Sequence, residues 1–81
     1  MITVELYGKP DCCLCDDAKA VLRRVQAEIP FRLREIDIQG DPELMKKYGE
    51  QVPVVYVGGM KAFKFRVDEA KLRRRLAREA G

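Results

Sequence analysis

Eighty-one residues, 47% hydrophobic and 36% charged, are expected to make one small domain, 1–81, with room for a single core. Sixteen Lys and Arg against thirteen Asp and Glu leave a net charge of only +3, with both signs interspersed, which excludes a polybasic tail and an acidic disordered segment. The absence of His removes Ser-His and Cys-His nucleophile pairs, and any His-ligated metal site, from this chain.

The chain opens on Ile2-Thr3-Val4-Glu5-Leu6-Tyr7, without the basic region and long apolar run of a signal peptide. Ile2, Val4 and Leu6 alternate with Thr3, Glu5 and Tyr7, the period of a strand. Gly8 and Pro10 punctuate it. From Leu14 the apolar positions run Leu14, Ala18, Val21, Leu22, Val25 and Ile29, steps that predict one face of a helix of about four turns, ended by Pro30. Phe31 to Ile38 reads as a second strand whose alternation slips at Glu35, where a bulge or an early end is expected. Strand, helix and strand in this span make a βαβ unit with parallel strands.

Asp41 and Pro42 form an N-cap and a first helical position, and Gly49 is the matching stop, so a short helix is expected over 42–48. Val52–Val57 and Met60–Phe65, joined by Gly58-Gly59, read as a hairpin with a primed turn. Asp68 caps a last helix, with Val67 and Leu72 spaced as a hydrophobic staple. Its apolar positions are Ala70, Leu72, Leu76, Ala77 and Ala80, and Lys71, Arg73, Arg74, Arg75 and Arg78 form a solvated face. The few aromatics lie in strands, away from this Arg cluster, so no nucleic-acid partner is expected, although an acidic protein partner is compatible with it. No apolar run approaches membrane-spanning length, and no membrane partner is expected. The order β-α-β-(α)-β-β-α predicts an α/β fold with a four-stranded mixed sheet flanked by helices. Strand order does not follow from the pattern.

The chemistry gathers at Cys12, Cys13 and Cys15. Three cysteines within four positions are unlike the spread framework of a secreted disulfide scaffold, and a cytoplasmic, reducing location is expected. Positions i and i+3 across a helix start lie about 5–6 Å apart, which suits a disulfide. Free amide groups and the helix dipole favour negative charge at the first of them. Cys12 is therefore the candidate catalytic nucleophile and Cys15 the candidate resolving thiol, lying beside the core-facing Leu14 and Ala18. Lys9 favours a Cys12 thiolate while Asp11, Asp16 and Asp17 oppose it, so the sequence fixes no direction for its shift. Cys13 is rotated away by about 100° and is expected to be dispensable. The main alternative is a metal- or iron–sulfur-binding and delivery module using Cys12, Cys13 and Cys15, with Cu(I) or Zn(II) suited to thiolates. Heavy-metal-associated domains are similar in cysteine placement only; they end on a strand, and a complete zinc site would need ligands from a second chain. A third reading makes the cysteines small apolar residues of an inactive relative.

Tyr7-Gly8-Lys9-Pro10-Asp11-Cys12-Cys13-Leu14-Cys15 resembles the glutaredoxin-like branch of the thioredoxin superfamily, and Gly49-Glu50-Gln51-Val52-Pro53-Val54-Val55 is similar to its segment ending in Val-Pro. With the element order, the resemblance spans nearly the whole chain. It implies a thioredoxin-like fold and disulfide oxidoreductase activity on protein or small-molecule disulfides, with no bound cofactor and a monomeric state. It also implies that Pro53 is cis and faces the cysteine pair, and that the Val52 backbone pairs with an extended substrate. Lys9 matches a lysine that contacts a glutathione carboxylate; the plainer alternative is a solvated loop charge. One departure concerns the electron donor. Glutaredoxins carry a second Gly-Gly and an acidic residue after the hairpin, where this chain has Phe63-Lys64-Phe65-Arg66-Val67-Asp68. Large side chains there oppose a backbone cradle for glutathione. Phe65-Arg66-Val67-Asp68 is more similar to small redoxins that serve ribonucleotide reductase and are themselves reduced by thioredoxin reductase. The expected electron donor is thus glutathione or a thioredoxin-reductase system.

Overall fold

The alternation of the first strand sends its side chains into two separate layers of packing. In the computed structural model, which describes residues 1–80, β1 (Thr3–Gly8) is followed by α1 (Cys13–Gln26) and β2 (Arg32–Asp37). A 3-10 turn (Ile38–Gly40), α2 (Pro42–Tyr48), β3 (Val54–Val57), β4 (Met60–Lys64) and α3 (Glu69–Ala80) complete the chain. The strands form one mixed sheet in the order β2-β1-β3-β4, with β1 parallel to β2 and the other pairs antiparallel. This is the four-stranded mixed sheet that the element order predicts, in the thioredoxin-like form that the resemblance implies and in a strand order that the pattern leaves open.

Val4 and Leu6 of β1 pair with Val57 and Val55 of β3, so all four share a face. On that face they pack with Ala18, Leu22 and Val25 of α1, Phe31, and Leu72 and Leu76 of α3. The opposite face holds a smaller cluster of Cys15, Ile38, Tyr48, Val52 and Val54, against which Tyr7, Cys12, Leu44 and Tyr56 pack. The dithiol therefore belongs to the smaller cluster, at the end of the sheet where β1 gives way to α1.

The predicted elements stand, with shifted ends. α1 stops at Gln26, three residues before Ile29, because the amides of Glu28 and Ile29 both turn back to the Val25 carbonyl (3.0 and 2.8 Å). The β1–β2 register runs unbroken from Thr3↔Arg32 to Gly8↔Asp37, so the bulge expected at Glu35 is absent. The slip has another cause. Glu35 lies opposite Leu6, on the α1 face, where Lys19 and Arg23 approach it at 3.8 and 3.4 Å, and Ile36 lies opposite Tyr7 on the other face. The register irregularity sits instead between Val55 and Tyr56, which pair with Phe63 and Lys61 and leave Ala62 unmatched on β4. β3 begins at Val54, leaving Val52 and Pro53 ahead of it, and β4 ends before Phe65.

Asp41 Oδ1 accepts from the amides of Glu43 and Leu44 (2.9 and 3.3 Å), and Asp68 Oδ1 accepts from Lys71 N (3.0 Å), as the capping pattern predicts. Val67 packs on the cluster that contains Leu72. The hairpin turn has φ of 59° at Gly58 and 85° at Gly59, the positive pair a primed turn requires. The apolar position expected at Ala80 lies outside the described side chains. Among the described residues no helix is long and apolar enough to cross a membrane.

Candidate active site

Pro10 and Asp11 bend the chain out of β1, with Asp11 at φ 57°, a left-handed conformation that Asp tolerates well. Cys12 follows as the N-cap of α1 (φ −114°, ψ 110°). Its Sγ accepts the Cys15 amide at 3.3 Å, so sulfur replaces the usual capping oxygen. The sulfur thus has an oriented N–H donor, and Cys12 is half-buried and reachable. Cys15 is 5% exposed, with its Sγ beneath Gly8. A Cβ built on Gly8 would stand 3.1 Å from that sulfur, so any side chain at the end of β1 would press on the thiol. Burial, and next a hydrogen bond to the Cys12 sulfur, push the Cys15 thiol up to about 11, opposed by the Lys9 backbone N–H.

The two thiols therefore differ: Cys12 caps the helix and is accessible, and Cys15 is buried and held protonated. Cys13 is exposed and outside both core clusters. Among the described residues no group of three or more Cys, Asp or Glu side chains could hold a metal ion.

The Lys9 ammonium donates to the Gly49 carbonyl at 2.8 Å and ties the cysteine loop to the end of α2. Val52 belongs to the same small buried cluster as Cys15, against which Cys12 packs. Its peptide bond to Pro53 is cis, as the resemblance implies, and the Pro53 side chain is fully buried. The Val52 backbone makes no hydrogen bond among the described residues. Pro53 O, by contrast, accepts from Phe65 N at 2.8 Å.

Three features of the site escape the sequence pattern. One is the role of Gly8, which reads as ordinary punctuation. Another is a trio of tyrosines, with Tyr7 4.9 Å from Tyr48 and 5.6 Å from Tyr56 between ring centroids. Tyr48 and Tyr56 share a 2.9 Å hydroxyl hydrogen bond, which together with burial raises the Tyr56 phenol. The third is Phe65, 40% exposed and at φ 68°, a conformation that glycine adopts without penalty and a bulky side chain does not. With Arg66 and Val67, it faces Leu14, Asp17, Ala18 and Val21 of α1 across a cleft of about 180 Å³. Phe65→Gly is expected to destabilise the fold by about 1 kcal/mol, because loss of a ring that buries more than half its surface, with the added freedom of the unfolded chain, outweighs relief of the left-handed backbone. A denaturant midpoint above that of the parent would contradict this.

Residues 3–77 match the family model described as Glutaredoxin-like domain (DUF836). The chain is 31% identical over 80 residues to the uncharacterized protein Rv0508 of Mycobacterium tuberculosis, a match covering 93% of this chain and 82% of that one. It is 32% identical over 77 residues to a glutaredoxin-like protein of Dictyostelium discoideum, covering 88% of this chain and 71% of that one. Among solved structures, protein XcR50 of X. campestris superposes with a TM-score of 0.75 at 31% identity, over 93% of this chain and 96% of that chain. Mitochondrial thioredoxin 3 of Saccharomyces cerevisiae reaches a TM-score of 0.71 at 17% identity, over 95% of this chain and 77% of that chain, a likeness of fold alone.

Proposed function

The chain belongs to the glutaredoxin-like domain family, and from that premise we propose that it is a dithiol oxidoreductase that reduces protein or small-molecule disulfides. The Cys12 thiolate attacks one sulfur of the substrate disulfide, forming a mixed disulfide and expelling the first substrate thiolate. Cys15 loses its proton and attacks the Cys12 sulfur. The second substrate thiolate leaves, the Cys12–Cys15 disulfide forms, and two electrons have passed to the substrate. The observation that carries this reading is the asymmetry of the pair: Cys12 Sγ caps α1 and accepts the Cys15 amide at 3.3 Å, while the Cys15 thiol lies buried under Gly8.

The free Val52 backbone supports the reading that an extended substrate segment pairs there, one residue before Pro53. Large side chains at Phe63, Lys64 and Phe65 stand where glutaredoxins carry glycines, and the Phe65 amide already donates to Pro53 O. This favours a thioredoxin-reductase system over glutathione as electron donor. The enzyme works as a monomer, a reading supported by the few exposed large apolar side chains among the described residues, Met1, Met45, Met60 and Phe65. The reducing cytoplasm is proposed as its compartment from the clustered free thiols alone.

The deciding assay follows NADPH oxidation with the oxidised protein, supplying thioredoxin reductase in one arm and glutathione plus glutathione reductase in the other. Turnover in the first arm is expected. Failure in both, with metal bound in stoichiometric amount by the reduced protein, would sink the redox reading. Cys13→Ser is expected to change the exchange rate by less than about twofold, since Cys13 lies outside the cluster that holds the other two thiols. A dead Cys13→Ser variant would reassign the resolving thiol.

A further inference from the structure

The last quarter of the chain is strongly basic: residues 60–81 hold eight Lys and Arg against three Asp and Glu. Four of these cations, Lys71, Arg74, Arg75 and Arg78, line a cleft of about 280 Å³ whose other wall is Ala62 and Phe63 of β4. Arg75 reaches Glu79 at 3.6 Å, while Lys71, Arg74 and Arg78 have no carboxylate partner among the described residues. Arg73, one position off this stripe, is neutralised by Glu28 and Glu69. The α3 cation that meets α1 is thus neutralised, whereas of the four cations lining the cleft only Arg75 has a carboxylate partner among the described residues.

The wall formed by β4 lies at the rim of the sheet. Consecutive strand residues normally point to opposite faces, yet Ala62 and Phe63 line the same cleft. The unmatched Ala62 is the reason, because an extra residue re-aims the side chains beside it. β4 is also the edge of the sheet, and its outer side pairs with no other strand among the described residues.

We propose that this cleft docks an acidic, extended segment of a partner protein, which adds to the outer edge of β4 and sets alternate carboxylates against Lys71, Arg74 and Arg78. The spacing is compatible. Positions 71 to 78 span about 10 Å along a helix. Acidic residues at every second strand position recur about every 6.6 Å, so two or three of them cover that length. A small anion would need cations converging on a point, whereas these are strung along the helix. Nucleic acid would need exposed stacking rings, and the cleft's one aromatic, Phe63, packs against the core. Edge addition supplies affinity through main-chain hydrogen bonds and leaves selection to the side chains.

The test is a fluorescence-anisotropy titration of the full chain with a labelled peptide of alternating Glu and Thr. Arg74→Gln with Arg78→Gln is expected to weaken binding by about tenfold, whereas Arg32→Gln with Lys46→Gln, at exposed cations elsewhere, leaves it unchanged. The same peptide N-methylated at alternate residues cannot complete the edge pairing and is expected to bind at least about tenfold more weakly. Equal effects of the two double variants, undiminished binding of the methylated peptide, or tighter binding of a short single-stranded oligonucleotide would each overturn the proposal. Docking needs no thiol chemistry, so its outcome is independent of the redox assay.

Discussion

Cys12→Ser is expected to abolish disulfide exchange, and Cys15→Ser to stop it one step later with substrate covalently attached. The difference follows from geometry. Cys12 is the half-buried thiol at the N-cap, with an oriented N–H on its sulfur, and no other thiol has that placement. Removing it leaves Cys13, exposed and outside the cluster, and Cys15, 5% exposed under Gly8. Neither can replace it, so the rate should fall by on the order of 10³-fold or more. Removing Cys15 leaves attack intact and deletes only the internal nucleophile. Mass spectrometry after mixing with a disulfide substrate should show an adduct on Cys15→Ser and none on Cys12→Ser. Full turnover by Cys15→Ser would mean that Cys13 or a substrate thiol resolves the intermediate, and the assigned cycle would be wrong.

Resolution, the second step, should carry a steep pH dependence. The Cys15 thiol is held up at about 11, chiefly by burial and then by its hydrogen bond to the Cys12 sulfur. Only its thiolate attacks, so well below that value each pH unit changes the reactive fraction about tenfold. Bonding Cys12 to substrate removes the contribution of its charge, while burial and Asp16 persist. The thiol is then released only in part, and only when it is needed. Single-turnover release of substrate should rise about tenfold per unit between about pH 6 and 8; a flat profile would show that another step limits release. Stability follows the same group. A thiol raised by folding stabilises the protein fully below the unfolded value of about 9. That contribution is lost as pH climbs toward about 11. Denaturant midpoints should therefore fall between those limits, and less so in Cys15→Ala.

Features encoded over a few adjacent residues were legible in the sequence. Asp41 and Asp68 as caps, Gly58-Gly59 as a primed turn, and Cys12 and Cys15 across one helical turn each depend on neighbours alone. What stayed hidden depends on distant partners. Glu35 breaks the strand pattern because Lys19 and Arg23 wait on the facing helix, a pairing no local window contains. Ile29 continues the helical period, yet the chain has already turned back on Val25. The bulge opposite Val55 and Tyr56 leaves no mark in the alternation of β4. Lys9 reads as a loop charge or a glutathione contact, and its ammonium is found on the Gly49 carbonyl, 40 residues away.

The tyrosine cluster has an optical consequence. The chain has three tyrosines and no tryptophan, and Tyr7, Tyr48 and Tyr56 all lie in or against the cluster that holds the dithiol. Tyrosine emission and the tyrosine part of the near-ultraviolet dichroism therefore originate at one end of the sheet. Loosening of the larger cluster would pass almost unseen in these signals, while a change in the surroundings of Cys15 would be recorded by every tyrosine the molecule has.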